Sequence, residues 1–251
     1  MTGPPPADSA GVPWGGRVLT STGFDDDRGE ADERLVELLD QRTRIPSADA
    51  DRELLAALRS ARVIVPVVAT AAGTDESGAH RVETSTEMAV VTLTAPDGRR
   101  ALPVFTGVEA LAAWDPTARP VPTPAARAAQ AAVAEGCDVM VVDLASGHPS
   151  ELRPSMVWAL AQEQQWLPPH QDPFVAGAVG AAVLDVPDVV GHRVEEGTPH
   201  GSGTLLVVLR LRPGLDEQAV REVATEVAER LAHDGELRAR VDGLAFAVQP
   251  A

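Results

Sequence analysis

The chain runs to 251 residues with 44% hydrophobic content, which supplies enough apolar surface for a packed core and excludes a disordered polymer. Its 37 acidic and 21 basic residues leave a formal charge of -16 with no segregated basic segment, so a phosphate backbone is repelled and nucleic-acid binding is excluded. Cys137 is the single cysteine; no internal disulfide can form, and the cytoplasm is the expected compartment.

Residues 1–29, rich in Pro, Gly, Ser and Asp, read as a disordered tail without the charged start and apolar run of a signal peptide. Asp32 then caps a helix with Leu35, Leu38 and Leu39 on one face, which ends before Ile45-Pro46 because proline disfavours helical geometry in its predecessor. Leu54, Leu55 and Leu58 repeat at helical spacing in a second helix. Arg62 to Val68 is a β-branched strand, and Pro66 suggests that it lies at a sheet edge. Ala69 to Ser85 reads as a mobile loop. The strand Met88 to Thr94 follows, then a Pro96-Asp97-Gly98 turn, then an antiparallel return over Ala101 to Phe105.

Thr106-Gly107-Val108-Glu109 fits a capping box that opens a short helix to Trp114, stopped at Asp115-Pro116. Pro120 to Pro124 reads as a proline-rich connector, with Thr123 capping a helix carried by Ala128, Ala129, Ala132 and Val133 and closed at Gly136. Cys137 to Leu144 has the apolar density of a buried strand, and Pro154 starts another helix. Pro168-Pro169 marks a boundary. Beyond it, Thr204 to Leu211 is a strand, Pro213-Gly214 a turn, and Leu215 to about Ala232 a helix with Val220, Val223, Val227 and Leu231 on its buried stripe. Leu244 to Val248 closes this part as a strand, giving a small sheet with one covering helix. No uninterrupted apolar run of about 18 residues occurs, so no membrane span is expected.

The fold class that follows is α+β. A mixed or antiparallel sheet with flanking helices is expected over 30–169, and a smaller β-α-β domain over 170–251.

The order of these segments resembles the SseB family. The resemblance is carried by the paired leucine helices before RVIVPVV, by MAVVTLTAPDGRRALPVFTG running into VEALAAWDP, by the helix before CDVMVVDL, and by LRPGLDEQAVREVATEVAERL with ELRARVDGL downstream. It implies the α+β, two-domain organisation and a link with serine sensitivity, from which the family takes its name. It implies no reaction, because these segments carry turn and packing chemistry.

Asp143 ends an apolar strand and is followed by Ser146-Gly147-His148, residues that any strand-to-helix turn uses and a placement in which Asp143 and His148 could also bind a small ligand. Trp14 and Trp166 lie in or beside flexible segments, where they anchor a protein partner or the other domain. His170, Asp172, His192 and His200 lack metal-ligand spacing, so no metal is expected. No cofactor is expected either. GAVGAA at 177–182 is not a dinucleotide fingerprint, a chain without lysine has no phosphate-binding P-loop, and Gly201-Ser202-Gly203 precedes a strand where a nucleophile elbow needs a helix. Two readings follow. In the first the chain is a non-catalytic interaction or regulatory protein, with an unidentified protein partner or self-association. In the second it is a small-ligand binder or enzyme of amino-acid metabolism using Asp143 and His148.

Overall fold

The computed structural model describes residue 24 and residues 27–71, 86–147 and 149–250. Helices α1 (Glu33–Arg44) and α2 (Ala48–Leu58) begin at Asp32 and Ser47, whose side chains accept from the first free backbone N–H groups. Leu35, Leu38 and Leu39 of α1 and Leu54, Leu55 and Leu58 of α2 are buried together, as their spacing dictates.

Strand β1 (Arg62–Ala71) is the middle strand of a sheet ordered β2-β1-β5, with β2 (Thr86–Val90) and β5 (Arg119–Pro124) both antiparallel to it. This corrects the edge position expected from Pro66 and the loop expected to start at Ala69; residues 72–85 lie outside the described residues. Pro66 fits a central strand because it sits where β1 changes neighbours. Ile64 exchanges both backbone hydrogen bonds with Phe105, at 2.7 and 2.9 Å, and the β2 ladder begins only at Val67. Between the two, no N–H is required. The apolar run of β1 is continuous because both its faces are covered. Val63 and Val65 face the first core, whereas Ile64 packs with Phe105, Leu111 and Ala118 in a separate cluster.

Pro120 to Pro124 is the strand β5 and not a connector. Arg119, Val121 and Thr123 alternate with the prolines, and the Ala125 N–H continues the ladder to Ala61 O at 3.0 Å. Antiparallel alternation therefore puts the missing N–H groups of Pro120, Pro122 and Pro124 on the outer side of an edge strand. Thr123 bonds to Val121 O and caps nothing; α4 (Ala125–Ala134) starts directly after Pro124.

The segment expected as one strand from Met88 to Thr94 divides into β2 and β3 (Leu93–Thr94), and β3 turns back on β4 (Arg100–Val104). β4 lies parallel to β6 (Val139–Val142), with β7 (Ser150–Leu152) antiparallel beyond it, giving the order β3-β4-β6-β7. Short α3 (Val108–Trp114) follows β4, and α5 (Pro154–Ala161) follows β7 with proline in its first turn. Helices α1, α2, α4 and α5 share one core with β1, β4 and β6.

The C-terminal part carries more structure than its sequence pattern announces. The Ala/Gly/Val-rich run forms α6 (Pro173–Val183), started by Asp172, and β8 (Val189–Glu196) follows. β9 (Thr204–Leu211) pairs antiparallel with β8 and parallel with β10 (Gly243–Pro250), in the order β10-β9-β8. α7 (Glu217–His233) and α8 (Gly235–Arg240) connect β9 to β10. Leu205, Val207, Leu209 and Leu211 face α6, α7 and α8 in a second core, so three helices cover the sheet where one was expected.

Phe105 is fully buried and stacks on Trp114 with ring centroids 5.4 Å apart, at the bridge that joins β1 to β4. Phe105→Ala is expected to destabilise the chain by about 3–5 kcal/mol, read by urea denaturation.

Candidate functional site

β4 and β6 run parallel, so their C-terminal ends emerge side by side, and Thr106 and Asp143 are the residues that leave them. Asp143 turns the chain with φ 51, in the left-handed region, while its N–H still donates to Val104 O at 2.9 Å. Its carboxylate then accepts twice from one residue, from the Thr106 N–H and from the Thr106 hydroxyl, each at 2.8 Å. Burial pushes the Asp143 carboxyl above its ordinary range, and the two Thr106 bonds oppose that shift without cancelling it.

These bonds explain why the expected capping box is absent. The Thr106 hydroxyl is engaged with Asp143, the helix N-cap is Gly107 with no side-chain bond, and the Val108 N–H donates to Gly29 O at 2.8 Å. Residues 27–31 thus lie as a strap across the start of α3, which corrects the disordered tail at Asp27 to Gly29. A Cβ on Gly107 would stand 2.9 Å from Gly29 O and from Ala31 N, so the strap fits only over glycine. Arg62 holds it from below, donating to Thr106 O at 2.8 Å, to Glu30 O at 2.7 Å and to the Asp27 carboxylate at 2.7 Å. Those bonds from Arg62 keep the Asp27 carboxyl below the usual range against the opposing effect of burial.

A second constellation joins the two cores. Arg153 ends the β7–α5 turn and donates through Nε to Asp242 at 2.9 Å, through Nη2 to Asp51 at 2.8 Å and through Nη1 to Gly201 O at 2.8 Å. Asp51, 2% exposed, also accepts from Arg42 Nε at 2.6 Å, and Arg42 reaches Ser150 at 2.7 Å. Asp242 accepts in addition from the Ser155 N–H and hydroxyl, and Trp166 donates to that hydroxyl at 3.0 Å. Nearby, Arg240 pairs with Asp172 at 2.9 Å and lies over the rings of Trp158 and Phe174, 5.1 and 4.7 Å from their centroids.

Of the residues singled out from sequence, Asp143 is placed on Thr106, whereas His148 and Trp14 lie outside the described residues. Trp166 is 5% exposed and belongs to the first core beside Arg153, so its ring packs inside the chain and is not free to anchor a separate partner. Asp172 caps α6 and pairs with Arg240, and His200 faces Glu196. Among the described residues no group of three or more metal-ligating side chains gathers, and no helix is long and apolar enough to cross a membrane. Sequence reasoning missed Asp51, Arg153 and Asp242. Asp51 alone carries a signal, a charged residue one turn before Leu54 and Leu55 in an apolar helix; Arg153 and Asp242 lie between elements and carry none.

Helix-flanked mixed sheets, a strapped strand-end turn and a buried ionic junction define an α+β protein organised around internal charge pairs. Residues 35–159 match the family described as SseB protein N-terminal domain, and the chain belongs to the SseB family. No curated protein and no solved structure matches it.

Two outcomes test this geometry. Asp242→Ala, which leaves Arg153 buried without one of its two carboxylates, is expected to cost about 3–5 kcal/mol in urea denaturation. The native state holds the Asp143 proton more tightly than the unfolded chain does, so this group adds stability as pH falls through the window from its ordinary value to its raised one. Asp27 has the opposite slope: its pair with Arg62 stabilises above the ordinary carboxylate range and is lost as pH falls through its lowered value. Asp143→Asn tolerates the left-handed backbone and cannot ionise, so the stability of the natural chain relative to this variant should rise between about pH 7 and about pH 4. Parallel pH profiles would contradict the assignment.

Proposed function

We propose that this chain is a non-catalytic protein-interaction and regulatory module of the cytoplasm, whose partner is another protein or a second copy of itself. One observation carries the reading: among the described residues, no buried side-chain nitrogen or oxygen lacks a hydrogen-bond partner. A catalytic or ligand site keeps polar groups whose partner is the reactant. Here Arg153, Arg62 and Arg240 each hold segments of the chain to one another. The charge of -16 favours a protein partner over nucleic acid, and one buried thiol without a disulfide fits a reducing compartment.

Asp143 favours a second reading, a small-ligand binder or enzyme connected with serine metabolism, with His148 as its companion. Its support is a left-handed residue with a raised carboxyl titration at the ends of parallel strands. Thermal unfolding against amino acids, nucleotides and divalent metals separates the two, because a ligand that prefers the native state raises the midpoint by mass action. The interaction reading expects no dose-dependent shift. A shift with one of these compounds, lost in Asp143→Ala, replaces it with the ligand-binding reading. Quantitative capture on the tagged full chain that recovers neither a stoichiometric partner nor the untagged chain overturns the interaction reading directly.

A further inference from the structure

We propose that β10 is a self-association edge: two copies of this chain pair their β10 strands antiparallel about a two-fold axis and join their C-terminal sheets into one. The inference rests on the interaction reading above and names its surface and its partner.

β10 is a terminal strand of the order β10-β9-β8, and all eight of its residues are in register with β9 on one side. On the other side no described residue pairs with it, so every second residue presents its backbone N–H and C=O outward, except for the proline nitrogen at Pro250. Two other edges of the fold are guarded. β5 has its outward N–H groups removed by Pro120, Pro122 and Pro124, and β8 carries His192, Arg193, Glu195 and Glu196 and a register break between Val189 and Gly191. β10 reads Gly-Leu-Ala-Phe-Ala-Val-Gln-Pro and has no charge.

That neutrality identifies the occupant. A two-fold strand pair sets each side chain beside another from the same strand, so a charged edge would oppose like charges, and this one opposes none. Elsewhere a second copy meets a surface with the same net charge of -16. The faces also match, because a two-fold axis perpendicular to the sheet keeps the helix-covered side of both copies together. Leu244 and Phe246 are only half-buried on that side and Val248 is 40% exposed. A pair centred on Phe246 sets Leu244 of one copy beside Val248 of the other and extends the apolar layer. On the opposite face Arg193 reaches over β9 to Gln249 at 3.1 Å, which holds the edge in place.

Sedimentation equilibrium of the full chain tests the pairing. The expected mass at high concentration is twice 26.3 kDa. Ala245→Lys/Ala247→Lys, which sets ammonium groups against each other across the axis, should weaken association by at least about tenfold, with the thermal midpoint confirming a folded chain. Gln218→Lys/Thr225→Lys on the exposed face of α7 adds the same charge and should leave association within about twofold. If the β10 variant fails to fold, hydrogen exchange of the natural chain decides: β10 amides that gain protection with concentration support the pairing, and amides that exchange equally at all concentrations overturn it. A natural chain that stays monomeric, or a dimer indifferent to the β10 lysines, also overturns it. A monomer leaves the interaction reading intact, which falls instead in the capture or the thermal-unfolding experiment.

Discussion

The guanidinium of Arg153 is the point on which the relative placement of the two cores depends. It is planar and always charged, and it sends its donors to three segments that are remote in sequence: α2 through Asp51, the β8–β9 turn through Gly201, and the entry to β10 through Asp242. Taking these groups out of water is costly, and the cost is offset only while the partners remain together. The surrounding chemistry follows from that condition. Arg42 shares Asp51, Ser155 completes Asp242, and Trp166 completes Ser155. Even the backbone obeys it, since Gly203 holds φ 77 with no room for a Cβ beside the Asp242 carboxylate.

Much of the fold was legible because local rules and the final packing agree. Asp32 caps where it should, the leucines of α1 and α2 lie on one face, and Val223, Val227 and Leu231 form the buried stripe of α7. The failures share one cause: a residue has a local meaning that a distant neighbour overrides. Pro66 signals an edge, yet β1 passes from Phe105 to β2 at that position. The prolines of β5 signal a connector, yet their period of two is an edge strand's pattern seen without its partner. α6 escaped because Ala, Gly and Val carry no strong periodicity of their own, and β8 because His192, Arg193, Glu195 and Glu196 break up its apolar run.

The candidate site was half legible. A carboxylate closing an apolar strand marks Asp143, and its strained backbone and raised titration make it the unusual acid of the described chain. Its partner left no local signal, because Thr106 carries an equally good local assignment as a helix cap. The contest is settled by geometry, since the parallel β4 and β6 bring Thr106 within 2.8 Å of both oxygens. The ionic junction was invisible for a related reason: pairs separated by tens of residues leave no spacing to read.

The alternating prolines of β5 bear on how far such a molecule can assemble. A chain with two adhesive edges propagates, each copy offering a free end to the next, and the outcome is a fibre. Pro120, Pro122 and Pro124 withhold donors along one margin of the molecule whatever happens at another. A contact made through a single open margin by a two-fold operation uses up that margin in both copies. Growth then halts at the pair, and the prolines act as a limit on stoichiometry.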